Sequence, residues 1–208
     1  PQNTAIAVKA AVLPFSRFRT PEGVVVDSLL SPEMRSTGEV MGLDTLYDTA
    51  FAKAQAGAGS PLPTEGKVFV SVANHDKRNV IIYAKMLEQL GFEIVSTGGT
   101  ADVLRRNGVN STVASKFAEA NGQHSIVDMV RNGEIDLILN TPAGGAARSD
   151  GYEIRAAAVS VGCPVMTTIS EFAAAVQAIT ALRERSWEII NLQEHGEFLR
   201  TASTREQG

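Results

Sequence analysis

The sequence contains little of what would stabilise an extracellular protein or anchor one in a membrane. Cys163 is the one cysteine among 208 residues, so the chain cannot form an internal disulfide or a cysteine cluster for zinc. We therefore expect a reducing, cytoplasmic setting. The apolar runs fall well short of the ~20 residues that span a bilayer. Residues 1–4 show no signal-peptide pattern and begin without methionine, which is consistent with a piece of a longer protein.

Excess charge and catalytic motifs are also scarce. The chain has 19 Lys and Arg against 23 Asp and Glu, a net charge of −4, which argues against a nucleic acid or an anionic membrane as a partner. The three histidines, His75, His124 and His195, lack the spacing of metal ligands, so we predict no metal site. The sequence shows no Ser-His-Asp set, Walker A motif or carboxylate pair, so we assign no catalytic residue.

The chain divides at residues 57–66, where small residues, glycine and proline crowd together and predict a linker. Before it, residues 1–56 contain a β-rich run at 5–15, a short strand at 24–26 and a helix at 44–56. These elements are too few for a persuasive domain. We interpret them as the small α+β end of a larger domain.

After the linker, residues 67–200 alternate between strand and helix patterns, and residues 201–208 form a tail. Strands are predicted at 68–72, 93–96, 112–114, 135–140 and 165–168, and helices near 76–90, 100–107, 124–132, 152–161 and 170–183. This alternation predicts an α/β fold, an open parallel sheet with helices on both faces. Glycines follow four of the helices as expected for C-caps: Gly91, Gly108, Gly133 and Gly162.

Ligands of such sheets bind beyond the carboxyl ends of the strands, so the chemistry is sought in loops 73–77, 97–100 and 140–149. One loop reads Thr97, Gly98, Gly99, Thr100 and leads from a strand into a helix. We predict that the glycines allow a sharp turn and that free N–H groups and hydroxyls face a phosphate. Lys77 and Lys116 would add positive charge. Each feature alone has an ordinary structural interpretation, but the combination suits a phosphate monoester.

Further polar residues follow the strand at 135–140. Asn140 offers both donor and acceptor and, with Thr141, suits a base or ribose edge. Arg148 could reach a phosphate, whereas Arg155 is predicted to lie on an exposed face and form salt bridges. Cys163 is predicted to be a buried structural residue.

Several short sequence motifs resemble those of a known family. Those after the linker are Ser71-Val72, Asp76-Lys77, Gly91-Phe92-Glu93, Thr97–Thr100, Ile126-Val127, Asn132-Gly133-Glu134, Asn140-Thr141-Pro142, Arg148–Tyr152, Ile154-Arg155 and Thr167-Thr168. They resemble the methylglyoxal-synthase-like domain that ends the large subunit of carbamoyl-phosphate synthases. Upstream, Leu13-Pro14-Phe15 and the specific word Pro32–Gly42 resemble the end of the second ATP-grasp unit of the same subunit.

The resemblance implies an allosteric regulatory region that binds UMP as an inhibitor or IMP as an activator. The effector-contacting positions of the family fall on Lys77, Thr97, Thr100, Lys116, Asn140 and Thr141. The whole enzyme would be an ATP-dependent ligase that uses magnesium or manganese. It would make carbamoyl phosphate from bicarbonate and glutamine-derived ammonia for pyrimidine and arginine synthesis.

The implied partners are a glutaminase small subunit and the rest of the large subunit, and a homo-oligomer formed through the regulatory domain stays open. The chain itself is expected to be non-catalytic and to need no cofactor. Thr167 matches a contact of the family's ornithine site. A glutamate of that site is replaced here by Ala10, so ornithine is expected to bind weakly.

Two alternatives stay open. Methylglyoxal synthase shares the fold, but its reaction needs a carboxylate base, and residues 120–124 contain no aspartate; Asp128, one helical turn further on, is a poor substitute. The second alternative is an assembly module with a degenerate pocket. Pro142 and Ala143 also replace two hydroxyl-bearing residues found in some relatives, which affects the choice of effector.

Overall fold

The computed structural model describes residues 5–12, 38–115, 125–141 and 145–185, with the backbone alone at 145–150, together with residues 189, 191, 194 and 196. The strand predicted at 24–26 and the tail predicted at 201–208 lie outside these residues. None of the helices in the described ranges is long and apolar enough to cross a bilayer.

A parallel sheet of five strands organises the chain after residue 66. Its strands are β3 (Lys67–Ser71), β4 (Glu93–Ser96), β5 (Thr112–Val113), β6 (Leu137–Asn140) and β7 (Val165–Met166). They lie in the order β5-β4-β3-β6-β7, and each neighbouring pair is parallel. The predicted parallel sheet is therefore confirmed, with β3 at its centre.

Helices cover both faces of this sheet. They are α2 (Lys77–Gln89), α3 (Gly98–Arg106), α4 (Ile126–Arg131), α5 (Gly145–Val161) and α6 (Ile169–Glu184). Because side chains alternate along a strand, Val68 and Val70 pack with α2 and α6, whereas Phe69 packs with α4 and α5. The four glycines predicted as C-caps have φ between +71° and +88°, as that role requires.

Helix α5 begins seven residues earlier than the predicted start at 152, at Gly145. Two glycines and a Ser-Asp pair in residues 145–151 favour a loop on propensity alone. Packing of the buried residues Ile154, Ala157 and Ala158 against the sheet stabilises the helix as a whole. Tertiary contact thus outweighs the local preference.

The N-terminal elements form a small α+β unit, as predicted. Strands β1 (Ile6–Val12) and β2 (Gly38–Asp44) pair in antiparallel fashion, and α1 (Tyr47–Gly57) lies directly on β2. A Cβ on Gly42 would come within 2.0 Å of the Ala50 carbonyl oxygen, so only glycine permits this approach. Strand β2 was missed by the sequence prediction.

The N-terminal unit shares a hydrophobic core with the parallel sheet. Helix α1 packs against α6, and Phe51 and Ala52 belong to the same buried cluster as Val68 and Val70. Leu62, within the predicted linker, is buried in that cluster as well. The domain boundaries stay predictions, but the segment between the two units is anchored by an apolar side chain.

One buried ion pair joins β2 to α1. Lys53 Nζ lies 2.8 Å from Asp44 Oδ2, and the two side chains are 12% and 10% exposed. Burial opposes ionisation of Asp44, but the hydrogen bond and charge of Lys53 outweigh it and lower the pKa of the carboxyl. Asp44 therefore adds stability at neutral pH, which is lost as the pH falls through the lowered pKa.

We expect Lys53→Met to lower the free energy of unfolding by about 3 kcal/mol at neutral pH, because it leaves a buried carboxylate without its cation. Urea unfolding followed by circular dichroism measures the change. Lys67→Met is the control, since Lys67 pairs with Glu93 at 3.3 Å in an exposed setting and should cost less than about 1 kcal/mol. Equal costs for the two variants would contradict the interpretation.

Candidate functional site

The site lies where three neighbouring strands end. Strands β4, β3 and β6 are adjacent and parallel, so their carboxyl ends share one edge of the sheet. Helices α3, α2 and α5 follow these strands and begin at that edge. Each helix N-terminus carries a partial positive charge, so the edge attracts anions.

Ser71, the last residue of β3, connects the ends of all three strands. Its Cα is paired with Asn140 of β6, and its carbonyl oxygen accepts a hydrogen bond from the Thr141 N–H at 3.1 Å. On the other side, Thr97 Oγ1 donates to Ser71 Oγ at 3.4 Å. The sequence analysis did not propose Ser71 as a site residue. A polar residue that ends an apolar strand was the available signal, and it is the signal that identified Asn140.

The start of α3 leaves two backbone N–H groups without an acceptor among the described residues. Thr97 is the N-cap in extended conformation, but its hydroxyl contacts Thr100 Oγ1 at 3.4 Å and does not cap the helix. The N–H groups of Thr100 and Ala101 donate to the Thr97 carbonyl oxygen. The N–H groups of Gly98 and Gly99 come before this pattern and meet no acceptor within the described residues. They remain available to a phosphate.

Lys77, the first residue of α2, brings its ammonium to the start of α3. A Cβ built on Gly99 would lie 3.1 Å from Lys77 Nζ, whereas a Cβ on Gly98 would meet nothing within 4 Å. Neither glycine has positive φ, and Thr97 alone separates the end of β4 from the start of α3. Both glycines are the first residues of an ordinary helix. Because they lack side chains, another group can come close to the backbone here, as Lys77 does at Gly99.

Asn140 and Thr141 lie at the end of β6, both nearly buried. Thr141 Oγ1 accepts from the Ala73 N–H at 2.9 Å, which fixes the loop after β3. Asn140 Oδ1 accepts from Arg155 Nη1 at 2.8 Å. This bond holds the amide group of Asn140 in one orientation. Its oxygen faces the guanidinium, and its Nδ2 donors face away from it.

The prediction that Arg155 lies on an exposed face is wrong. Its side chain is fully buried on the face of α5 that turns to the sheet. A charged residue normally predicts a solvent-facing position. One partner of the buried guanidinium, Asn140, lies 15 residues earlier on another element. No local sequence signal identifies such a pairing.

Two predicted residues are not placed by the structure. Lys116 lies outside the described residues, so its role in holding a phosphate stays a prediction. Arg148 lies in the first part of α5, where the backbone is described but the side chain is not. Its backbone is near the correct edge of the sheet, because α5 begins directly after β6, and its contact with a phosphate stays a prediction.

Thr167 lies at a different place, in a cavity of about 590 Å³ between the N-terminal unit and the sheet. Ala10 lines the same cavity, and the ornithine-site remnant stays a prediction. Glu171 lines it too and was not predicted. Its Oε2 accepts the Thr167 N–H at 3.1 Å, and burial raises the pKa of its carboxyl.

Cys163 also lines this cavity, half-buried. Burial, together with the charge of Asp136, raises the pKa of its thiol to about 12. The Cys163 Sγ donates weakly to the Ile135 carbonyl oxygen at 3.4 Å. A thiol in this state is a poor nucleophile, which agrees with the predicted structural role.

Asp128, the poor substitute for a catalytic base, caps α4. Its N–H donates to Ser125 Oγ at 3.2 Å, and its carboxylate accepts from the Ser125 hydroxyl at 2.7 Å. The two residues form a capping box, so the carboxylate has a structural task. Within the described ranges, no three His, Cys, Asp or Glu residues are grouped to hold a metal ion.

We expect Lys77→Ala to weaken the binding of inorganic phosphate by about ten- to a hundredfold, because a charge-assisted hydrogen bond contributes roughly 1.5–3 kcal/mol. Isothermal titration calorimetry measures the change. Lys85→Ala is the matched control, since Lys85 is exposed on the same helix about 12 Å further along its axis. If Lys77→Ala binds phosphate as tightly as the parent chain, the anion site is misplaced.

Comparisons with known proteins find relatives over nearly the whole chain. Residues 79–167 match the family described as MGS-like domain. Over 99% of its length the chain is 65% identical to the carbamoyl phosphate synthase large chain of Kocuria rhizophila. It is 66% identical, over 96% of its length, to that of Pseudarthrobacter chlorophenolicus. The chain spans only 19% and 18% of these relatives.

Among solved structures, a methylglyoxal synthase from Elizabethkingia anophelis NUHP1 matches with a TM-score of 0.45 and 17% sequence identity. The match covers 64% of this chain and 91% of that one.

Proposed function

Because the chain contains an MGS-like domain at residues 79–167 and corresponds to a C-terminal part of carbamoyl phosphate synthase large chains, we propose that it is a regulatory region that binds a nucleoside monophosphate. The observation that carries the proposal is the meeting of two helix starts at one sheet edge. The N–H groups of Gly98 and Gly99 meet no acceptor within the described residues, and the Lys77 ammonium lies beside Gly99.

In this proposal the phosphate of UMP or IMP binds at the start of α3. Lys77 supplies charge from α2, and Lys116 supplies it from the segment after β5. The hydroxyls of Thr97 and Thr100 are on the same turn, where they can donate to phosphate oxygens. Asn140 and Thr141 lie across Ser71, on the side where the ribose or base would extend.

The activity that this region would control is that of the longer relatives. We propose that the whole enzyme is a cytoplasmic ligase that makes carbamoyl phosphate from bicarbonate, glutamine-derived ammonia and ATP for pyrimidine and arginine synthesis. It would work with a glutaminase small subunit, magnesium or manganese, and the remaining parts of the large chain. The effector would alter the rate of that synthesis.

The alternatives have less support. A methylglyoxal synthase needs a carboxylate base near the phosphate, and Asp128 uses its carboxylate to cap α4. An assembly module with a degenerate pocket has no use for free helix N–H groups beside a lysine. Binding of a mononucleotide separates the first proposal from this last one.

We expect Thr97→Ala and Lys116→Ala each to weaken UMP binding by about ten- to a hundredfold, because each removes a donor to a charged phosphate oxygen. Calorimetry on the purified chain measures the loss. Thermal unfolding should change little, since Thr97 is only half-buried. Lys85→Ala again serves as the control.

Two results would count against the proposal. If Lys116→Ala binds UMP like the parent, the phosphate is held elsewhere. If neither UMP nor IMP binds the parent chain at millimolar concentration, the assembly module becomes the better explanation.

The cavity at Thr167 generates a separate expectation for ornithine. The cavity offers the carboxylate of Glu171, but that group already accepts the Thr167 N–H and its pKa is raised. Ornithine should still activate the full-length enzyme weakly, since Ala10 stands where relatives carry the glutamate that binds the ligand's ammonium, and a buried ammonium without that partner is costly. Ala10→Glu should strengthen the activation, measured as bicarbonate-dependent ATP turnover.

Ala7→Glu is the control for this experiment, because Ala7 is on the same strand, exposed, and does not line the cavity. Strong ornithine activation that is unaffected by Ala10→Glu would show that the missing carboxylate has no part in recognition.

A further inference from the structure

The side chain of Arg155 is the largest that is fully buried within the described residues, and it ends in a charged guanidinium. A charged group in such a place is stable only when hydrogen-bonded. The described bond goes to Asn140 Oδ1 at 2.8 Å, and Asn140 is itself only 6% exposed. The structure thus places a buried cation directly behind an amide of the proposed effector site.

Gly151 leaves the room that this pair needs. It lies inside α5, one turn before Arg155, where glycine is an unfavourable residue. A Cβ there would lie 2.3 Å from Arg155 Nη1 and 2.6 Å from Asn140 Oδ1. Any larger residue at this position would have to separate the guanidinium from the amide.

The pairing decides what Asn140 can offer a ligand. A free asparagine can rotate its amide by about 180° and present either an acceptor or donors. Here a rotation would turn the Nδ2 donors toward the guanidinium, which has no acceptor. The amide is therefore restricted to presenting N–H donors on its other side.

We propose that Arg155 is a positioning residue that makes Asn140 a one-way donor, so that the site selects nucleoside monophosphates presenting a carbonyl oxygen in preference to an amino group. This inference rests on the proposed function and specifies its ligand class. UMP carries a carbonyl where CMP carries an amino group, and IMP differs from AMP in the same way. A fixed donor pairs with the carbonyl and opposes the amino group.

The test compares UMP and CMP binding by calorimetry in the parent chain and in Arg155→Met. Methionine keeps an apolar side chain of similar length in a buried position, which buried ion sites can accept. We expect the ratio of UMP to CMP affinity to fall by about tenfold, because the amide becomes free to rotate. Both ligands carry the same phosphate, so a general loss of positive charge cancels in this ratio.

A double-mutant cycle tests whether Arg155 changes the selectivity for UMP through Asn140. Asn140→Ala should lower the ratio similarly, and adding Arg155→Met should lower it no further, because Arg155 acts through Asn140. Arg155→Lys keeps a donor and should retain most of the selectivity. Glu153→Ala, at an exposed position of the same helix, should leave the ratio unchanged.

Gly151→Ala is the second variant and applies if Arg155→Met does not fold. It keeps the charge and improves helix propensity but pushes the pair apart, and the same loss of selectivity is expected. An unchanged ratio in a folded variant, or additive effects in the cycle, would overturn the positioning role while the proposed function stands. Absence of UMP binding by the parent would overturn both.

Discussion

The parallel hydrogen bonding of β3 to two neighbours at once is the constraint on which the rest of the molecule depends. It brings the ends of β4, β3 and β6 to one edge and forces three helices to begin there. Ser71 then joins the three strand ends through its hydroxyl, its carbonyl oxygen and its register with Asn140. Lys77, Thr97 and Asn140, which end or follow these strands, are thereby brought to one edge by the sheet.

The same central strand links the site to the N-terminal unit. Val68 and Val70 of β3 pack in a cluster that includes Phe51 of α1 and Leu62 of the predicted linker. Protein interiors are close-packed, so a small displacement of one side chain is passed on to its neighbours. Strand β3, which ends at Ser71, is therefore in packed contact with the cluster that includes α1.

Much of the fold could be predicted, because apolar strands, helical spacing and terminal glycines are local signals. Lys77, Thr97 and Asn140 were proposed as site residues from their place after predicted strands, and the structure brings them to one edge of the sheet. The exposed position predicted for Arg155 was wrong: its guanidinium is buried and bonds to an amide 15 residues away, a pairing that local patterns do not record. The early start of α5 was missed for a related reason: its glycines oppose a helix that tertiary packing stabilises.

Cys163 has a practical consequence for work on this chain. Its thiol, with a pKa near 12, stays protonated at physiological pH, and the chain has no other cysteine. Since the thiolate is the species that reacts with maleimides and peroxides, the native chain should resist both reagents. A cysteine introduced on the exposed face of α2 would then react alone and could carry a fluorophore, so movements around the sheet edge could be followed without first removing a native residue.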